Sequence, residues 1–156
     1  MDPIAEARRQ WEAHGWADAA PGMAAVTSVM RAQQVLLARV DELLRPSGLT
    51  FARFELLRLL GFTRHGELPL GKLGQRLQVH PTSITSAVNR LEAQGFVERR
   101  PHPSDRRTTL AVITDEGRDV VERATEVLNT EVFADIGLAE REVTQLYRLL
   151  EKARRY

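Results

Sequence analysis

A run of hydroxyl, amide and guanidinium side chains between positions 82 and 90 could form hydrogen bonds with a polar partner. Its members are Thr82, Ser83, Thr85, Ser86, Asn89 and Arg90. In a helix, Ile84, Val88 and Leu91 would share one face, and most of the polar residues would lie on or near the opposite face. Small hydroxyls let a helix lie deep in the major groove of DNA, where Asn and Arg can contact base edges. These residue types suit a DNA-reading helix, although a polar face is expected on any surface helix.

The sequence also indicates where this helix begins and ends. Pro81 suits a first helical turn, where its missing N–H would be unpaired in any case. Gly95 suits a left-handed cap at the C-terminal end. A shorter amphipathic helix is predicted just before it, because apolar residues recur at helical spacing at Leu70, Leu73 and Leu77. Together the two patterns predict a helix-turn-helix.

Two strand-forming segments follow, at 96–102 and 108–114, and the residues between them have turn chemistry. The first segment and the turn carry Arg99, Arg100, Asp105, Arg106 and Arg107. A short strand at Glu67–Pro69 is predicted to complete a small sheet with them. Helix, turn, helix and basic hairpin together predict a winged helix, with Lys72 and Arg76 of the first helix placed to contact the DNA backbone.

The composition is that of an ordinary soluble domain. The chain has 156 residues, of which 43% are hydrophobic and 28% are charged, and its net charge is +1. Between Gly71 and Leu110, seven basic residues stand against three acidic ones, so this window carries +4 and the rest of the chain −3. A basic patch on a nearly neutral protein is typical of a specific DNA-binding protein.

The hairpin resembles the wing of the MarR family of bacterial transcriptional regulators, which carries an Asp-x-Arg motif followed by a strand ending in Leu-Thr or a similar pair. Here Asp105-Arg106-Arg107 precedes Ile113-Thr114, and Gly117 follows Asp115 by two residues. The resemblance extends over about residues 25–155. It implies a homodimeric regulator, expected to be a repressor, that binds palindromic double-stranded DNA and responds to a small-molecule effector, aromatic or anionic in character.

The resemblance also implies roles for the wing residues. Arg107 is expected to reach the minor groove, held by Asp105. Arg99, Arg100 and Arg106 are expected to contact phosphates or to pack the wing.

The alternative function is a helical protein-interaction module without specific DNA binding.

The predicted fold is mainly α with a small antiparallel β-wing. We expect a winged helix-turn-helix domain at 49–114, on a helical dimerisation body formed by 22–48 and 115–156. An N-terminal helical arm at 1–21 precedes them, with interruptions expected at Gly15 and at Pro21-Gly22.

The helical body is predicted to pair with a second copy. A long amphipathic helix runs from Met23 to Leu44, and Thr114 is the expected N-cap of a later one. A last helix over 140–155 has apolar residues predicted to lie inside, at Val143, Leu146, Leu149 and Leu150. These helices carry more apolar surface than a winged helix can cover, so we expect a dimer.

Both tryptophans, Trp11 and Trp16, lie in the arm. They can anchor it to the core or to a second subunit. Some relatives that respond to urate and similar ligands have an extra N-terminal helix with a Trp at the effector pocket, and Trp11 can match that residue. The pocket's acidic residue would fall near Glu55, where the family pattern prefers Asp.

No set of residues points to catalysis, to a cofactor or to a metal. The four histidines lack ligand spacing, and there are no cysteines. The segment 66–72 matches most of a phosphate-binding loop, but Leu73 replaces its final hydroxyl residue and a helix precedes it. The first residues lack signal-peptide order and no long apolar run occurs, so we expect a cytoplasmic protein that does not bind membranes.

Overall fold

The computed structural model describes residues 2–155, which form seven α-helices and three short strands. The helices are α1 (Pro3–Ala13), α2 (Ala20–Leu44), α3 (Phe51–Phe62), α4 (Leu70–Leu77), α5 (Pro81–Ala93), α6 (Asp115–Leu128) and α7 (Glu140–Ala153). The strands are β1 (Glu67–Pro69), β2 (Val97–Pro101) and β3 (Thr109–Ile113). No helix in the described range is long and apolar enough to cross a membrane.

The chain divides into two compact units, one ending at Phe51 and the other beginning at Ala52. In the first unit α1 packs against α2, and Gly15, with φ +87°, lies between them. The interruption expected at Gly15 is therefore present, whereas the one expected at Pro21-Gly22 was wrong. Pro21 lies in the first turn of α2, where a missing N–H costs no hydrogen bond. The predicted dimerisation body draws on both units, and its assignment remains a prediction.

The second unit contains the sheet, whose strand order is β1-β3-β2 with both pairings antiparallel. Glu67 pairs with Val112 at one edge, so the predicted third strand is present. On the other side Val97 pairs with Ile113 and Pro101 with Thr109. The mainly α fold with a small β-wing is therefore confirmed.

The apolar face of α5 fixes the orientation of its polar face. Val88 and Leu91 are fully buried, as is Leu73 of α4, against which α5 packs. Each such side chain contributes about 1.5–3 kcal/mol on burial. Gly95 ends the helix at φ +78°, and the amide of Phe96 donates to the carbonyl of Leu91 at 2.9 Å. The exposed residues of α5 are thus held outward by the core beneath them.

The C-terminal helices differ in how far they bury their apolar residues. Thr114 caps α6 as predicted, its Oγ1 accepting the Gly117 N–H at 3.0 Å. A π-helical turn at Asn129–Phe133 continues α6. In α7 the expectation of an inside stripe was wrong for this single chain. Leu149 is 56% exposed, and Val143 and Leu146 are also exposed.

Candidate nucleic-acid interface

The N-terminal half of α5 presents hydroxyl groups to solvent. Thr82, Ser83 and Ser86 are all exposed. Thr85 is also exposed, but its Oγ1 donates to the carbonyl of Pro81 at 3.1 Å. Thr85 therefore offers its oxygen as an acceptor, whereas no bond within the described residues uses the other three hydroxyl hydrogens.

His80 caps the start of this helix. Its Nδ1 accepts the backbone N–H of Thr82 at 3.1 Å, and its carbonyl accepts the N–H of Ser83 at 2.9 Å. These bonds satisfy amides that lack partners within the helix. For this role Nδ1 must be unprotonated, so the ring hydrogen of the neutral imidazole is on Nε2. The first turn of α5 therefore depends on a side chain outside the predicted site.

His80→Ala should lower the free energy of unfolding by about 1 kcal/mol, because it removes an N-cap acceptor. His80→Asn is the matched control, since the Asn side-chain oxygen can accept the same N–H. Urea unfolding at one protein concentration measures both. Equal losses in the two variants would show that His80 acts by something other than capping.

Arg99 connects β2 to α5. Its guanidinium forms an ion pair with Glu92 and donates a hydrogen bond to Oδ1 of Asn89. The backbone N–H of Arg99 also donates to Glu92 Oε1 at 3.3 Å. The Arg99 side chain is 27% exposed, so most of its surface is buried. Of its two predicted roles, phosphate contact and wing packing, this geometry favours packing.

The turn of the wing is organised by Asp105. Its Oδ1 accepts the backbone N–H of Arg107 at 3.0 Å, and its Oδ2 accepts the hydroxyl of Thr108 at 2.7 Å. The bond from Thr108, followed by that from Arg107, holds the pKa of the Asp105 carboxyl below its ordinary value. Asp105 therefore shapes the backbone that carries Arg107, rather than gripping the Arg107 guanidinium.

Several cations of α4, α5 and the wing lie outside the ion pairs of the described residues. Within the described residues no ion pair involves Lys72, Arg76, Arg90, Arg106 or Arg107, and all five are exposed. Arg100 differs, since it pairs with Glu98 at 2.9 Å. Its side chain is 58% exposed, where an ion pair contributes little. The positive charge of the interface thus lies mainly on α4, α5 and the wing tip.

The three residues predicted to line an effector pocket lie on α1, the following turn and α3. The rings of Trp11 and Trp16 are 5.3 Å apart at an interplanar angle of 59°, and His14 stacks on Trp16 at 5.8 Å. Glu55 is half-buried in α3, and this burial raises the pKa of its carboxyl. The pocket itself remains a prediction.

Two residues of the interface escaped the sequence analysis. His80 immediately precedes a helix-initiating proline, which is a usable N-cap signal. Glu92 gave no local signal, because its partner Arg99 lies seven positions away on a different element. Among residues 2–155, no group of His, Asp and Glu is arranged to hold a metal ion.

Known proteins resemble this chain in sequence and in fold. The MarR family profile matches residues 49–109. Sco5413, a MarR family transcriptional regulator from Streptomyces coelicolor, is 49% identical, with 86% of this chain and 93% of that one covered at a TM-score of 0.79. A mutant of E. coli MarR complexed with operator DNA is 26% identical, with coverage of 81% and 91% and a TM-score of 0.74.

Curated relatives give the same picture over shorter spans. The transcriptional repressor IacR of Pseudomonas putida is 32% identical over 114 residues, which cover 72% of this chain and 66% of IacR. The chain spans 62% and 58% of the lengths of two HTH-type regulators from Bacillus subtilis, YwhA and YdgJ.

Proposed function

This chain belongs to the MarR family of transcriptional regulators, and we propose that it is a ligand-responsive repressor that binds palindromic operator DNA as a homodimer. The main observation in support of this proposal is the surface formed by α5 and the wing. Exposed hydroxyl groups and Arg90 lie on α5, and Arg107 lies at the wing tip without an ion pair in the described residues. Repression is proposed because the relative IacR is a repressor.

In this proposal α5 lies in the major groove. Thr82, Ser83 and Ser86 donate hydrogen bonds to base edges or phosphates, and Arg90 supplies the cation of the helix. Arg107 enters the adjacent minor groove, where the negative potential attracts guanidinium groups. Lys72, Arg76 and Arg106 contact phosphates and set the position on the duplex of the winged helix-turn-helix domain at 49–114, called the head below.

The homodimer is supported by the apolar surface that the single chain leaves exposed. In α2, Val35 is 63% exposed and Met30 is 62% exposed. In the C-terminal segment Phe133, Leu149 and Tyr147 are also exposed. Exposed apolar side chains grouped on one element are typical of interaction sites. A two-fold dimer would place two recognition helices about one DNA turn apart, which fits a palindromic operator.

The proposed effector is a small aromatic or anionic molecule. Trp11 and Trp16 lie close together in the first unit and offer aromatic faces to such a molecule. The effector would regulate DNA binding by changing the separation of the two heads. To do so, it must bind one separation more tightly than the other, because equal affinity for both shifts nothing.

Arg107→Ala tests the wing. On a site selected by the wild-type protein from random duplex DNA, affinity should fall about 30- to 700-fold, since each of the two wings of the dimer loses a contact worth about 1–2 kcal/mol. Arg123→Ala, at an exposed Arg of α6, is the control for loss of one positive charge. Unchanged affinity for Arg107→Ala would remove the wing from the interface.

Salt dependence separates the regulator from a protein-interaction module. A dimer with six to ten phosphate contacts should lose about 10³-fold or more in affinity between about 50 and 200 mM salt. Electrophoretic mobility or fluorescence anisotropy titrations over this range measure the slope. A flat dependence, or no sequence selected from random DNA, would favour the interaction module instead.

A further inference from the structure

We propose that Asn89 reads the major groove as a hydrogen-bond donor only, and that Arg99 is the positioning residue that imposes this. The proposal rests on the DNA-binding function proposed above and specifies how one residue of α5 reads sequence. It starts from the contact between the Arg99 guanidinium on β2 and Oδ1 of Asn89 on α5.

The chemistry of the guanidinium fixes which way the Asn89 amide faces. Arg has five N–H donors and no acceptor, so the amide atom opposite it must be oxygen. The reverse orientation would place the Asn89 NH₂ group against the N–H groups of Arg99. Asn89 is exposed, and its Nδ2 is therefore the atom left for a partner outside the chain.

Glu92 holds Arg99 in this position. Its Oε2 pairs with the Arg99 guanidinium, and its Oε1 accepts the backbone N–H of Arg99 at 3.3 Å. Asn89 and Glu92 are three residues apart on α5, so they lie on neighbouring turns of one face. Charge-assisted bonds of this kind are roughly twice as strong as neutral ones. The guanidinium is thus bonded to two side chains of α5, those of Glu92 and Asn89.

This arrangement changes what Asn89 can recognise. An Asn that pairs with adenine turns both its oxygen and its nitrogen towards the same base edge, accepting from N6 and donating to N7. Here the Arg99 guanidinium occupies one of the two lone pairs of Oδ1 and turns the oxygen towards β2, so the Nδ2 hydrogens are the group left to bond a base edge. Asn89 should therefore favour acceptor positions, such as O6 and N7 of guanine or O4 of thymine, over the mixed edge of adenine.

The test measures base preference at every position of the selected operator for the wild-type protein and for variants. Asn89→Ala should abolish the preference at one base pair of each half-site, where the wild-type protein favours guanine or thymine by about tenfold. Arg99→Met removes the guanidinium but keeps an apolar stem. At that same base pair it should shift the preference towards adenine, while the other positions keep theirs.

Glu92→Gln provides a second route, because it removes the negative charge that holds the Arg99 guanidinium while Asn89 and Arg99 themselves are kept. It should shift the same base pair in the same direction, and circular dichroism melting checks that each variant is folded. If Arg99→Met does not fold, Glu92→Gln alone decides the question.

Other outcomes would overturn the proposal. If Arg99 instead contacts a phosphate, Arg99→Met would weaken binding to all sequences alike and reduce the salt slope by about one per head. A wild-type preference for adenine at the Asn89 position would also contradict it. If the wild-type protein selects no DNA sequence at all, it is the proposed function that fails.

Discussion

Replacing Gly117 with Ala is expected to lower the free energy of unfolding by about 3 kcal/mol, at the upper end of overpacking effects. A Cβ at this position would lie 2.2 Å from the carbonyl oxygen of Phe96 and 2.9 Å from Cγ1 of Ile113. The first contact is with backbone, so no side-chain rotation can relieve it. Gly117 lies in the first turns of α6, and the clash would push that helix off the loop after α5.

This loop is held by Thr114 through several hydrogen bonds. The Thr114 N–H donates to the Phe96 carbonyl at 3.1 Å, and its hydroxyl donates to the Gly95 carbonyl at 2.7 Å. The same hydroxyl accepts the N–H of Gly117 at 3.0 Å. Moving Phe96 away from a new methyl group would disturb these bonds and the Gly95 cap of α5 together. The cost therefore includes lost hydrogen bonds as well as steric strain.

Gly71→Ala is the matched control, because Gly71 also lies early in a helix but a Cβ there would meet nothing within 4 Å. In that variant the free energy of unfolding should rise by about 0.4–1 kcal/mol, because Ala makes the unfolded chain less flexible. Thermal and urea unfolding at one protein concentration compare the two. Similar stabilities for Gly117→Ala and the wild type would mean that the loop can retreat without loss.

The sequence was most informative where one residue decides the local backbone. Pro81 and Gly95 correctly bounded α5, and Thr114 was correctly assigned as a cap. These signals are local, because they follow from a missing N–H, a positive φ and a short hydroxyl side chain. Pro21 misled for a related reason, since a proline marks either a break or a helix start and only the neighbouring turns distinguish the two.

The sequence was less informative about contacts between elements. Arg99 bonds to Glu92 and Asn89 because β2 packs against α5 in the folded chain. Charge counting treated Arg99 as one more cation for DNA, whereas the fold neutralises it. The contacts of Asp105 are easier to predict than those of Arg99, because they reach only two and three residues along the chain. Such a turn can be anticipated from sequence, but its exact acceptor pattern follows from the hairpin.

For the apolar residues of α7, the sequence pattern leaves their packing partner undetermined. Periodicity correctly shows that Val143, Leu146 and Leu149 share a face, but it does not say what covers that face. A second copy is the proposed partner, and this makes a direct test available. Leu149→Glu should leave the single chain folded, since the residue is already 56% exposed there. In a dimer the same substitution would bury a carboxylate in an apolar interface, which is costly without a partner charge.

We therefore expect Leu149→Glu to sediment as a monomer at micromolar concentration and to lose about 100- to 10,000-fold in operator affinity. The loss is large because a dimer's second head binds at a high effective concentration, whereas a monomer binds each half-site alone. Gln145→Glu adds the same charge to an exposed polar position of α7 and should do neither. A variant that remains dimeric would place the interface elsewhere. A monomer with unchanged operator affinity would instead show that one head suffices, and the spacing of two heads could then not be what an effector controls.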